Sequence, residues 1–91
     1  MGARAMTVVR IPTPLRSYTR AATVNATGCT VAEVLVDLDH QFPGLRFRMV
    51  DEQGRLRTHM KVFVDLDLCR DLSTALDGTQ EISIMQALSG G

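Results

Sequence analysis

The sequence predicts an α+β domain, a mixed sheet of four to five strands with one main helix lying across one face. Two observations carry this. β-branched, partly alternating segments open and close the chain, and between them stands one amphipathic helix with a complete start signal. A length of 91 residues holds one domain with a single core. We place the folded core at 7–87 and a short flexible tail at 88–91.

The first strand is read at 7–11, where Thr7, Val9 and Ile11 share one face, Val8 and Arg10 take the other, and Pro12 and Pro14 stop the run. After a loop through Leu15, Arg16 and Ser17, residues 21–26 read as a second, weaker strand ending at the turn signal Thr27-Gly28. Thr30 followed by Glu33 is a capping box, in which each side chain satisfies an orphan N–H of the helix start. Cys29 and Val34 occupy the two positions of a hydrophobic staple. Val31, Val34, Leu35, Leu38 and Phe42 then form one apolar stripe, closed by Pro43-Gly44.

Residues 45–50 approach the turn at 51–54 and residues 55–58 lead away, which reads as a hairpin-like excursion with an exposed tip. In the strand at 59–65, Met60, Val62 and Val64 face the core and Lys61, Phe63 and Asp65 face away. Leu66, Leu68, Leu72 and Leu76 are available to plug the core from the following loop. Asp77-Gly78 turns the chain into a last strand at 81–85, with Ile82 and Ile84 inward and Ser83 and Met85 outward. A helix crossing over between the early strands and the later ones is the arrangement of the β-grasp fold. One helix covers one face only, so Val8, Phe63 and Met85 are left near the surface of the other, close to where the tail emerges. Clustered exposed apolar residues mark a docking surface.

Composition removes several function classes. Charge balances to zero, ten basic against ten acidic residues, and the scattered arginines have no interleaved aromatics, so no nucleic-acid partner is expected. No apolar run approaches the roughly 20 residues of a membrane span, and residues 1–5 lead into a strand rather than a signal peptide, which predicts a cytoplasmic location without a membrane partner. Cys29 and Cys69 stand forty residues apart without a CxxC or clustered His, so they read as buried or half-buried thiols, not metal ligands. His40 and His59 read as exposed or structural. No nucleophile–base or metal constellation is legible. The positive feature is Leu88-Ser89-Gly90-Gly91 directly behind the last strand. Two glycines make a thin, mobile segment that threads a narrow channel and presents the Gly91 carboxylate.

Together these segments resemble the ubiquitin-like sulfur-carrier family that includes MoaD and ThiS. The resemblance runs from Val9 to Gly91. Residues 9–16 are similar to the family's first strand and the loop after it, and residues 30–35 to its helix start. Val62-Phe63-Val64-Asp65 resembles its V-x-V-N strand with Asp65 in place of Asn. Residues 76–82 resemble its L-x-D-G-D-x-V turn, and Leu88-Ser89-Gly90-Gly91 its ending. The chain departs from the pattern at Met85-Gln86-Ala87, where a proline is common, and at Thr79-Gln80, where an acidic residue is common. The long excursion at 51–57 looks most like the CysO-type branch.

The resemblance implies a sulfur carrier with no permanently bound cofactor. A ubiquitin-activating-like adenylyltransferase of the MoeB/ThiF type would use ATP to adenylate the carboxylate of Gly91. A sulfur donor or sulfurtransferase would convert the adenylate to a thiocarboxylate, and a sulfur-accepting biosynthetic enzyme would consume it, with cysteine or a specialised metabolite as the favoured product. Gly90, Ser89 and Leu88 would thread into the partner, while Phe63, Met85 and Val8 would dock. The alternatives are a small subunit of molybdopterin synthase, a ubiquitin-like protein modifier, and a plain β-grasp binding module.

Overall fold

A computed structural model describes residues 6–87. The tail at 88–91 lies outside the described residues. Five strands, β1 (Met6–Arg10), β2 (Thr23–Thr27), β3 (Met60–Val64), β4 (Asp67–Leu68) and β5 (Glu81–Gln86), form one sheet in the order β2-β1-β5-β3-β4. β5 pairs parallel to β1 and antiparallel to β3, while β2 and β4 add antiparallel outer strands. The principal helix, α2 (Val31–Gln41), covers one face. This is the β-grasp architecture the element order predicts.

The predicted faces hold where both neighbours are strands. Val9, Ile11, Val62, Ile82 and Ile84 are buried beneath Val31, Val34, Leu35 and Leu38. Thr7 joins this face, and its buried hydroxyl has no hydrogen-bond partner. The helix start is more heavily satisfied than a capping box alone provides. The Glu33 N–H donates to Thr30 Oγ1 at 3.2 Å, and Glu33 Oε1 accepts from the Cys29 N–H at 2.8 Å. The next two donors, the N–H groups of Val31 and Ala32, go to the carbonyls of Thr74 and Leu72. The late loop is thereby pinned to the helix and fills the orphan positions that a helix start leaves open. Cys29 is exposed, so it is not one of the expected buried or half-buried thiols. The free edge of β2 is guarded by α2. Gln41 Nε2 donates to the Asn25 carbonyl at 2.9 Å, and the Thr27 N–H donates to Asp37 Oδ2 at 3.1 Å.

Three expectations are corrected. Residues 45–49 are a helix, α3 (Leu45–Met49), not the first arm of a hairpin; the pairing at the turn shrinks to a single bridge between Val50 and Leu56. Gly44, at φ +94°, reverses the chain after α2, and Asp39 Oδ1 accepts from the N–H groups of Gly44 and Arg46. Leu45 and Met49, four apart, are both buried, while Phe47 faces out beneath the Arg57 guanidinium. The predicted loop after β1 contains a 3-10 turn (Thr13–Leu15) and a single helical turn, α1 (Arg16–Thr19), anchored by the buried Leu15. Among the loop leucines, Leu72 and Leu76 pack on the core as expected. Leu66 is 94% exposed at the β3–β4 turn, and Leu68 belongs to β4.

Candidate functional site

β5 is the middle strand of the sheet, and the chain leaves the described fold from its far end. Ile82 and Ile84 face the helix; Met85, 53% exposed, faces the opposite way. On that outward face Lys61 lies opposite Met85 and Phe63 opposite Ser83, and across β3 the next partner of Phe63 is Leu68. On the β1 side Val8 lies opposite Glu81 and Arg10 opposite Ser83. Phe63 is half-buried and Val8 is 41% exposed. The pairing ends with a hydrogen bond from the Ala87 N–H to the His59 carbonyl at 2.8 Å.

The three outward residues therefore share a face without sharing one spot. Phe63, opposite Ser83, lies midway along β5, and Met85 lies near its exit. Val8 lies beside Glu81, four residues back, which is about 13 Å along the strand. The sequence reading set Val8 close to the tail. The register sets it at the other end of β5, because β1 runs parallel to β5 and pairs only with residues 81–83. An ion pair between Arg10 Nε and Glu81, 3.0 Å long and open to solvent, sits on the same face. Such a pair contributes little to stability but interrupts the apolar surface with charge. Arg10 was legible as outward-facing from alternation. Its pairing with Glu81 was not, because it depends on the β1–β5 register.

Beyond Ser83 the β1 flank of β5 opens, since Pro12 and Pro14 end β1. The gap is a groove of about 430 Å³ bordered by Ile11, Pro12, Arg16, Met85 and Gln86. At the start of β5 the backbone is held by Asp65. Its N–H donates to the Glu81 carbonyl at 2.7 Å and its Oδ1 accepts from the Glu81 N–H at 2.9 Å, with Asp65 itself at φ +55°. Asp77 fixes the turn that feeds β5. The Thr79 hydroxyl and then the Thr79 N–H donate to its carboxylate and hold its pKa below the ordinary value.

Gly91, Gly90, Ser89 and Leu88, the predicted acyl-bearing and threading residues, lie outside the described residues. Among the described residues no group of three or more His, Cys, Asp or Glu is placed to hold a metal ion, and no helix is long and apolar enough to cross a membrane. Cys69 is half-buried, with its thiol 3.2 Å from the Asp71 carbonyl.

A β-grasp domain whose middle strand leads straight toward a Gly-Gly segment matches the ThiS family over residues 9–91. The chain belongs to that family. This ThiS-family chain is 32% identical over 89 residues to the sulfur carrier protein CysO of Mycobacterium tuberculosis, covering 91% of this chain and 96% of that protein. The crystal structure of Mycobacterium tuberculosis CysO superposes with a TM-score of 0.84 at 30% identity, over 90% of this chain and 99% of that one. A chain in the crystal structure of the Amycolatopsis orientalis BexX/CysO complex gives 0.86 at 30% identity, over 93% and 99%. The ThiS-family fold also superposes on small archaeal modifier protein 1 from Methanosarcina acetivorans, with a TM-score of 0.82 at 25% identity over 99% of this chain and 100% of that one.

Proposed function

We propose that this chain carries sulfur on the carboxyl group of Gly91. The observation that supports the reading most directly is the path of β5. The middle strand runs past the outward Phe63 and Met85 and delivers the chain toward Leu88-Ser89-Gly90-Gly91. The sheet thus presents an outward face on which a partner can rest, on the strand that leads into these residues.

The chemistry follows from the inertness of a carboxylate. Its charge repels nucleophiles, and oxide does not leave. In the proposed sequence a MoeB/ThiF-type adenylyltransferase lets a Gly91 carboxylate oxygen attack the α-phosphorus of ATP, and pyrophosphate departs. A sulfide equivalent from a sulfur donor or sulfurtransferase then attacks the acyl carbon and expels AMP, leaving a thiocarboxylate. A sulfur-accepting biosynthetic enzyme takes up that sulfur, and the likeness to a chain of a BexX/CysO complex supports a partner of this class. The carrier contributes no catalytic residue. Met85 docks the partner near the exit, Phe63 and Val8 extend the contact back along the sheet, and Leu88, Ser89 and Gly90 enter the partner's channel.

The test is intact-mass measurement after incubation with ATP, the activating enzyme and a sulfide source. Replacement of one oxygen by sulfur is the expected product, and its absence with an enzyme competent on another carrier refutes the reading. Gly91→Ala should slow activation while leaving the thermal transition unchanged. The likeness to small archaeal modifier protein 1 supports a second reading as a protein modifier, for which the product would instead be isopeptide conjugates of higher mass.

A further inference from the structure

The outer flank of β3 holds a groove that the carrier chemistry leaves unused. It encloses about 810 Å³ between residues 54–58 on one side and 68–73 on the other. The groove exists because β4 covers only part of its neighbour. The Cys69 N–H donates to the Val62 carbonyl at 2.7 Å, and the chain then turns away through Asp71, leaving Met60 and Lys61 as the floor. The opposite wall is set by Asp51, whose Oδ1 accepts from the N–H groups of Gln53 and Arg55. Arg57 is fixed in that wall by a 2.8 Å bond from its Nε to the Phe47 carbonyl and by stacking 4.6 Å from the Phe47 ring centroid.

The lining carries four cations, Arg55, Arg57, Lys61 and Arg70, against two carboxylates, Asp71 in the lining and Asp51 in the wall close to Arg55 and Arg57, on a chain whose overall charge is zero. The Asp71 carboxylate is engaged by the hydroxyl and N–H of Ser73. Among the described residues Arg55, Lys61 and Arg70 form no ion pair, and all three are exposed. The groove also adjoins the end of the β5 pairing. The last hydrogen bond of the β5 pairing lands on His59, next to the Met60 floor, and Lys61 lies opposite Met85.

The geometry points to a docking groove for an acidic segment of the protein that receives the tail, an inference that rests on the carrier function proposed above. The cations come from three separate stretches of chain, so they suit a run of carboxylates rather than one compact anion. No aromatic ring lines the groove, so it lacks the stacking platform that single-stranded nucleic acid uses. Opposed charge at the rim of an interface accelerates encounter and fixes orientation, and it does so most strongly at low ionic strength. A partner drawn in by this groove meets the chain beside the end of β5.

Two measurements test the groove. In the first, the labelled full chain is titrated with a glutamate-rich dodecapeptide and with its glutamine counterpart, and amide shifts are followed by NMR. Shifts confined to residues 54–61 and 68–73, seen with the acidic peptide only and lost in Arg55→Glu/Arg70→Glu, support the proposal. Shifts elsewhere, equal shifts with the glutamine peptide, or tighter binding of a single-stranded oligonucleotide overturn it. The second measures adenylation of the carrier by its activating enzyme across a salt series. The double variant, with dispersed amide spectra confirming its fold, should raise KM by about tenfold at low salt, leave kcat unchanged and lose most of the salt dependence. Equal KM for both chains at low salt overturns the groove. If neither chain is adenylated, the carrier function fails, and the peptide titration still decides the groove.

Discussion

Replacing Asp65 with alanine should cost about 2 kcal/mol, and the structure divides that figure into two parts. Asp65 sits at φ +55°, where a residue with an ordinary side chain pays about 1 kcal/mol and Asn or Asp is tolerated. Its Oδ1 also accepts from the Glu81 N–H at 2.9 Å, a bond worth about 1 kcal/mol in an exposed position. Asparagine keeps both the tolerance and an acceptor oxygen, so Asp65→Asn should stay within about 0.5 kcal/mol of the parent. The assay is urea unfolding of the three chains at one pH, with a thermal scan as a check. For a domain of this size the alanine variant should melt roughly 10 °C lower. Equal destabilisation by alanine and asparagine would show that the carboxylate's charge, and not its acceptor geometry or the backbone angle, holds the β3–β5 junction. That result would refute the reasoning.

Three further outcomes are expected. Gly28→Ala should destabilise by about 1–3 kcal/mol in the same urea assay, because a Cβ there would stand 2.7 Å from the Val34 nitrogen and 2.9 Å from the Glu33 carbonyl carbon, both backbone atoms of the α2 start. Thr7→Val should raise stability by about 1 kcal/mol, since it removes a buried hydroxyl without a partner and keeps the side-chain shape; a loss would mean that the hydroxyl is satisfied. Acid should weaken the fold. The Arg55 N–H on Asp51, the Ser73 hydroxyl on Asp71 and the Thr79 hydroxyl on Asp77 are the leading causes that hold these three carboxyls below their ordinary pKa. Depressed folded-state values give stability that is present above the unfolded value and is lost as pH falls through the folded one. Urea midpoints should therefore fall below about pH 4, and the triple Asp-to-Asn variant at these positions should show a shallower fall.

Legibility followed how local the deciding forces are. The α2 start was readable because a cap and an apolar stripe lie within a dozen residues, and the inward sets of β1, β3 and β5 because alternation is local. The stretch from Leu45 to Met49 misread as a strand because Leu45, Phe47 and Met49 alternate perfectly. What decides against a strand is tertiary: Leu45 and Met49, four apart, are both buried in the core while Phe47 is exposed, and the nearby Asp39 carboxylate holds the N–H groups of Gly44 and Arg46. The same limit governs the outward face. Alternation showed that Val8, Phe63 and Met85 point away from the helix. Only the strand registers spread them along β5, with Val8 at Glu81, Phe63 at Ser83 and Met85 near the exit, and bring Arg10 to Glu81. The basic groove was invisible for the same reason, since Arg55, Lys61 and Arg70 converge only once β4 stops short along β3.

The position of β5 has a mechanical consequence. A pull applied beyond Gln86 acts along a strand that is hydrogen-bonded to β1 on one flank and to β3 on the other. Both ladders are then loaded in shear, with several bonds resisting together, whereas an outer strand would peel away one bond at a time. A partner that draws on the end of this chain hauls against a strand anchored on both flanks, so the load is shared across the sheet.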